Sequence, residues 1–324
     1  MTNQSQPPEP TQNPELEPTT HHFAVGPEAG PSSPLAPQIA GLSAQLLPEA
    51  AIPGALHVVS TPIGHLGDIS IRALAVLREV AAVCCEDTRT SRTLLTRYGI
   101  YTPMVALHGH NEAQTTPRIL ERLRLGESIA LISDAGTPLV SDPGARLVDA
   151  AVAAGLRVVP IPGASATLAA LVASGITPHP CTILGFLPRK GGERADSIRL
   201  AASLPHAVVL FEAPGRVAGT LKDLAAVAGG SRAAAVAREL TKKFEEIRRG
   251  TLDELAAYYE DTAPRGEIVL VLGGATIVAP TEADLATIAA DLRAQGKRPR
   301  DIVQQLMDEH GASRNLAYRL AHDS

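Results

Sequence analysis

Three stretches rich in Gly, Pro, Ser and Asp hold the side chains whose types and spacing suit ligand chemistry. Residues 60–70 read S-T-P-I-G-H-L-G-D-I-S, residues 133–144 read S-D-A-G-T-P-L-V-S-D-P-G, and residues 162–166 read P-G-A-S-A. Glycines such as Gly64 and Gly67 let backbone approach a bound molecule, while Asp68, Ser70 and Ser165 can cap a following helix. The first loop contains neither G-x-G-x-x-G nor G-x-x-x-x-G-K-[ST], which argues against NAD and nucleoside triphosphate chemistry.

The elements that position these stretches follow from periodicity. Short apolar runs at 56–60, 82–86, 104–107, 129–133 and 157–161 alternate with segments apolar at helical spacing, such as Ile71/Leu74/Leu77, Ile119/Leu120/Leu123 and Leu147/Val148/Val152. Strand then helix, repeated, predicts a mainly parallel sheet with covered faces. The three loops follow its first, fourth and fifth strands, at the carboxyl edge where open sheets bind ligands. A second set of runs lies at 182–186, 207–211, 233–237 and 268–272, beyond a joint at Gly175-Ile-Thr-Pro-His-Pro180. Three short helices, 284–295, 299–309 and 313–321, end the chain, with Ser313 as a cap.

These readings divide the chain into a disordered Pro-rich extension (1–54), an N-terminal α/β domain (55–176), a second α/β domain (177–276) and a helical C-terminal module (282–324). The first 50 residues hold ten of the 26 prolines and five acidic residues but no Lys or Arg. Setting those five acids aside, the formal net charge of −5 becomes 29 basic against 29 acidic residues, so charge does not exclude a nucleic-acid partner. Cys84, Cys85 and Cys181 lack metal-ligand spacing and are expected to pack in a reducing cytoplasm, and no metal is expected. No run approaches the roughly 20 apolar residues of a membrane span.

The combination of S-T-P-I-G-x-L-x-D, Glu86-Asp-Thr-Arg89, S-D-A-G-T-P-L-V-S-D-P-G, P-G-A-S-A and Ala237-Arg-Glu-Leu-Thr-Lys242 closely resembles the ribosomal RNA small subunit methyltransferase I family of the tetrapyrrole-methylase superfamily. The resemblance spans 56 to the C-terminus. It implies an α/β, two-domain tetrapyrrole-methylase-like (class III methyltransferase) fold, with S-adenosylmethionine (SAM) in the cleft between the domains. By motif position the cofactor would meet Pro62, Gly136, Thr137, Val140, Asp142, Ser165 and Ala166, with Phe186, Ala237 and Gly266-Glu267 as further candidates. The implied reaction is 2′-O-methylation of a decoding-region cytidine of 16S rRNA in the small ribosomal subunit, by a cytoplasmic homodimer.

A ribose hydroxyl is a weak acid, so a carboxylate or other base that takes its proton would assist attack. Glu86 and Asp87 are the favoured candidates, with pairing to Arg89 or Arg92 as their structural alternative; Asp134, Asp142 and Glu112 are others. Arg89, Arg92, Arg189, Lys190, Lys297, Arg298, Arg300, Arg314 and Arg319 are the candidates for RNA contact, against a plain reading as solvated helix faces. With aromatics at 3% and no Trp, backbone and shape contacts to structured RNA fit better than base stacking.

Overall fold

The computed structural model describes residues 50–275 and 280–322; most of the predicted extension, 1–49, lies outside them. Residues 50–54, grouped with the extension on composition, are partly buried apart from Pro53. Ala50, Ala51 and Ile52 lie against a core cluster, and Gly54 donates its N–H to the Gly126 carbonyl at 3.0 Å.

Two five-stranded sheets form the body. Strands β1 (Leu56–Val59), β2 (Ala82–Cys85), β3 (Met104–Ala106), β4 (Ile129–Ile132) and β5 (Val158–Ile161) make the first, in the order β3-β2-β4-β1-β5, all parallel. The residues of β2 and β4 are buried throughout, which accounts for their unbroken apolar runs. Cys85 faces one core of this sheet and Cys84 the other, as alternation along a strand requires. The intervening helices are α1 (Ile71–Glu79), α2 (Thr88–Arg97), α3 (Glu112–Arg124) and α4 (Ala145–Ala153). From β1 the chain crosses toward β2, whereas from β4 it turns back toward β5. The loops after neighbouring β1 and β4 therefore diverge, and this divergence opens a crevice at the carboxyl edge.

Helix α5 (Ala166–Ala173) follows β5 but packs its Ala170 and Leu171 with Val209, Ala235, Val269 and Val271 of the second sheet. That sheet contains β6 (Cys181–Phe186), β7 (Ala207–Glu212), β8 (Ala233–Arg238), β9 (Glu246–Thr251) and β10 (Ile268–Leu272), ordered β6-β7-β10-β8-β9. Only β6 and β7 are parallel. Helices α6 (Gly192–Ser203), α7 (Val217–Ala228) and α8 (Leu252–Asp261) complete this half, and both sheets belong to one compact unit. Cys181, expected to pack, is exposed at the start of edge strand β6, where one side of the strand has no neighbour.

A second compact unit holds helices α9 (Glu282–Ala294), α10 (Pro299–His310) and α11 (Arg314–His322) around Leu285, Ala289, Ile302, Leu306 and Ala317. Thr281 and Asp284 form a capping box on α9, Gly311 ends α10 in the left-handed conformation, and Ser313 caps α11. No helix among the described residues is long and apolar enough to cross a membrane.

Candidate active site

The three loops at the carboxyl edge are laced together. The backbones of Thr61 and Gly136 exchange hydrogen bonds of 2.9 and 3.1 Å. The Thr137 hydroxyl lies 3.2 Å from that of Ser60 and donates to the Ala164 carbonyl at 3.1 Å, joining the second loop to the first and third. Ser165 caps α5 through the Leu168 N–H. In the second loop Leu139 (φ 72°) and Ser141 (φ 71°) both take the left-handed conformation on either side of Val140. Each such residue costs on the order of 1–3 kcal/mol and persists only where surrounding contacts hold it.

The second sheet contributes a loop of the same kind. Glu239 (φ 50°) and Thr241 (φ 64°) flank Leu240 beyond β8, and the Thr241 hydroxyl accepts the His65 N–H at 3.0 Å. Gly64 makes this approach possible, because a Cβ there would sit 2.5 Å from Lys242 Cγ and 3.1 Å from the Leu240 carbonyl oxygen. The partly buried Lys242 ammonium bridges Glu239 at 2.9 Å and Glu267 at 3.3 Å.

Between these loops lies a cleft of about 270 Å³, walled by Ile63, Val140, Phe211 and Val269 and edged by Asp142, Glu212 and Glu267. A smaller recess of about 30 Å³ shares Ile63, Val140, Ala166 and Phe211 with it and adds Gly136, Thr137 and Ser165. Glu212, at the end of β7, is buried. It accepts the Thr220 hydroxyl at 2.6 Å and the Ala213 N–H at 2.8 Å, and pairs with Arg216 Nε at 3.1 Å. Arg216 in turn donates to the Leu187 and Pro188 carbonyls at 3.0 and 3.2 Å, fixing the turn after β6 beside the cleft. A buried carboxylate so matched offsets the cost of removing its charge from water. Apolar walls with a few carboxylates suit a nucleoside that carries positive charge.

Residues 55–256 match the family of Tetrapyrrole (Corrin/Porphyrin) Methylases. A relative from Mesorhizobium japonicum, named Ribosomal RNA small subunit methyltransferase I, is 48% identical over 251 residues, covering 77% of this chain and 85% of its own. The chain belongs to the ribosomal RNA small subunit methyltransferase I family. Another relative of that name, from Synechocystis, is 40% identical over 271 residues, covering 83% of this chain and 97% of its own. Among solved structures, diphthine synthase aligns with a TM-score of 0.54 at 18% identity, over 68% of this chain and 90% of that one. Uroporphyrin III C-methyl transferase from Thermus thermophilus aligns at 0.51 and 19%, over 68% and 97%. At such identities these two establish the fold alone.

In this member of the small subunit methyltransferase I family, Gly136, Thr137, Val140, Asp142, Ser165 and Ala166 line the cleft or its recess, as do Phe186, Gly266 and Glu267. Pro62 and Ala237 are buried but do not line either; Ile63, next to Pro62, does. Sequence reasoning passed over Phe211-Glu-Ala-Pro214. Only the Pro-Gly turn after the strand, as in the first sheet, marks the segment in sequence; nothing marks Glu212 itself.

The favoured proton acceptors lie elsewhere. Neither Glu86 nor Asp87 lines the cleft, and Glu86 is exposed. Asp87 caps α2 by accepting the Arg89 N–H at 2.8 Å, and it pairs with the Arg89 guanidinium at 2.9 Å. Those bonds hold its carboxyl below the ordinary aspartate range, making it a poor base. Glu112 accepts the Leu147 N–H, bracing α4, and Asp134 accepts the Asp87 N–H. Of the five carboxylates considered, Asp142 alone lines the cleft.

Among the basic candidates, Arg89, Arg92, Arg189 and Lys190 are exposed on the first unit. On the second, Arg298 pairs with Asp301, Arg319 with Glu282, and Lys297 donates to Gln305. Arg300 and Arg314 are exposed and make no ion pair among the described residues.

Proposed function

We propose that the protein is a SAM-dependent methyltransferase that modifies the ribose 2′-hydroxyl of a decoding-region cytidine of 16S rRNA, acting on the small ribosomal subunit in the cytoplasm. The observation that carries this reading is the convergence of the strand-end loops, in the family's own wording, on one cleft with apolar walls and an acidic edge. Relatives at 40–48% identity, named for small subunit ribosomal RNA methylation, supply the substrate class.

The bound cofactor supplies an activated methyl group and a neutral thioether leaving group. The protein's part is positional. Ile63, Val140 and Phe211 would hold the adenosine, and Glu212 and Glu267 would complement the cofactor's cationic end. The closely braced loops would hold the acceptor beside the cofactor and exclude water. We assign Asp142 as the base. Its carboxylate would take the hydroxyl proton as the acceptor oxygen is methylated.

Small subunits lacking the modification, incubated with this protein and methyl-labelled SAM, should gain one ribose methyl on a single cytidine. Label on a base would overturn the 2′-O assignment; no label on ribosomal RNA would overturn the substrate.

A further inference from the structure

The loop between β8 and β9 adjoins the cleft through the Lys242–Glu267 ion pair. It carries Phe244, a large apolar ring 63% exposed, in a chain with aromatics at only 3%. The Lys243 ammonium lies 5.5 Å from the ring centroid. We propose that Phe244 with Lys243 is a stacking post for a nucleobase of the RNA substrate, adjoining the ribose that enters the cleft. The proposal rests on the RNA reading above.

Three features carry it. First, the loop is rigid by construction. Lys242 N–H donates to the Glu239 carbonyl at 3.0 Å, Glu245 N–H to the Lys242 carbonyl at 3.1 Å, and Thr241 N–H to the Glu245 carboxylate at 2.6 Å. Bracing of this kind, on a backbone that takes the left-handed conformation at Glu239 and Thr241, presents the ring at low entropic cost. Second, the loop edges the cleft, because Lys242 reaches Glu267, a lining residue. Third, a flat apolar face beside a flexible cation matches a nucleotide, whose base stacks on the ring while its phosphate meets the ammonium. A nucleotide drawn into the cleft by its ribose leaves its neighbours' stack, and an exposed ring on a loop that adjoins the cleft gives its base or a neighbouring one a replacement surface.

The chain contains no Trp, so Phe244→Trp in the full-length protein creates a single indole reporter. Its emission should be quenched saturably by small subunits lacking the modification and should not respond to SAM alone. In methyl transfer, Phe244→Ala should lower kcat/KM for subunits roughly 5- to 150-fold, the range for losing one stacked base. Affinity for SAM should stay unchanged, and Phe244→Tyr should keep most of the activity. Because the ring is exposed, none of these variants should change Tm. Indole emission blind to subunits that the wild type methylates, or wild-type kinetics for Phe244→Ala, would overturn the stacking role. A response to SAM alone would assign the ring to the cofactor and overturn it equally. Failure of the wild type to methylate subunits would instead sink the parent reading, and this one with it.

Discussion

Asp142 reaches the cleft from a loop strained on the near side at Leu139 and Ser141, and its carboxylate is the point where proton transfer can be tested. Positioned bases contribute about 10²- to 10⁴-fold. Asp142→Asn should therefore lower kcat by about 10²-fold or more while leaving SAM affinity intact in calorimetry; lost affinity with kcat kept would make it a cofactor ligand instead. Asp87 should behave otherwise. Removing its cap on α2 with Asp87→Ala should cost about 1 kcal/mol of stability, read as a lower Tm, with the transfer rate of the folded protein unchanged. The contrast shows what residue-level reading reaches. The long loop's resemblance to its family points to Gly136, Thr137 and Asp142, which line the cleft or its recess; loop composition alone would not single them out. Asp87 also stands at a strand end, yet it precedes a helix, and an Asp there is claimed first by the helix's free N–H groups. Glu212 was hidden for the opposite reason: a lone Glu in an apolar strand has no motif, and its partners Arg194, Arg216 and Thr220 are assembled only by the fold.

Elements differ in how openly the sequence declares them. The first sheet is legible because parallel strands covered on both faces must be apolar throughout. Strand β9, Glu-Ile-Arg-Arg-Gly-Thr, is not: it is an edge strand, half-exposed and charged, and alternation is too weak to mark it. Nor does periodicity reveal that α5 leaves the first sheet to cover the second, the packing that sets the loops of one sheet against those of the other. The contact between those loops depends on Gly64. In Gly64→Ala the new Cβ meets Lys242 Cγ at 2.5 Å and, behind it, the Leu240 backbone, which cannot swing aside. Overpacking of this kind costs about 1–3 kcal/mol, and the relief available is to part the two loops. The variant should melt earlier and bind SAM more weakly, by scanning and titration calorimetry. A lower Tm with unchanged SAM affinity would mean that the loop contact supports the fold without shaping the cleft.

At the scale of the whole molecule, two properties depend on groups remote from the chemistry. His57 is fully buried in β1, its Nε2 accepting the Ile52 N–H at 3.1 Å, and burial lowers its pKa from the ordinary value of 6.5. The unfolded chain then binds the proton more readily than the folded one. Stability is complete above the ordinary histidine range and is lost as pH falls through it toward the depressed folded value. Tm should therefore drop as pH falls below the ordinary histidine value of 6.5, and His57→Gln should flatten that part of the curve. The second property is the division of labour between the compact units. The C-terminal unit closes its own core with Leu285, Ile302, Leu306 and Ala317, and no cleft residue belongs to it. Four of its cations, Arg293, Lys297, Arg298 and Arg300, fall within eight residues that include no acid, with Arg298 paired to Asp301 just beyond. Each phosphate such cations neutralise adds roughly 0.7–0.9 to the slope of log affinity against log salt. A chain lacking 282–324 should keep its SAM affinity, bind small subunits more weakly, and show a shallower salt dependence. Weaker binding with the slope unchanged would mean that the three helices engage the subunit by shape, without phosphate contacts.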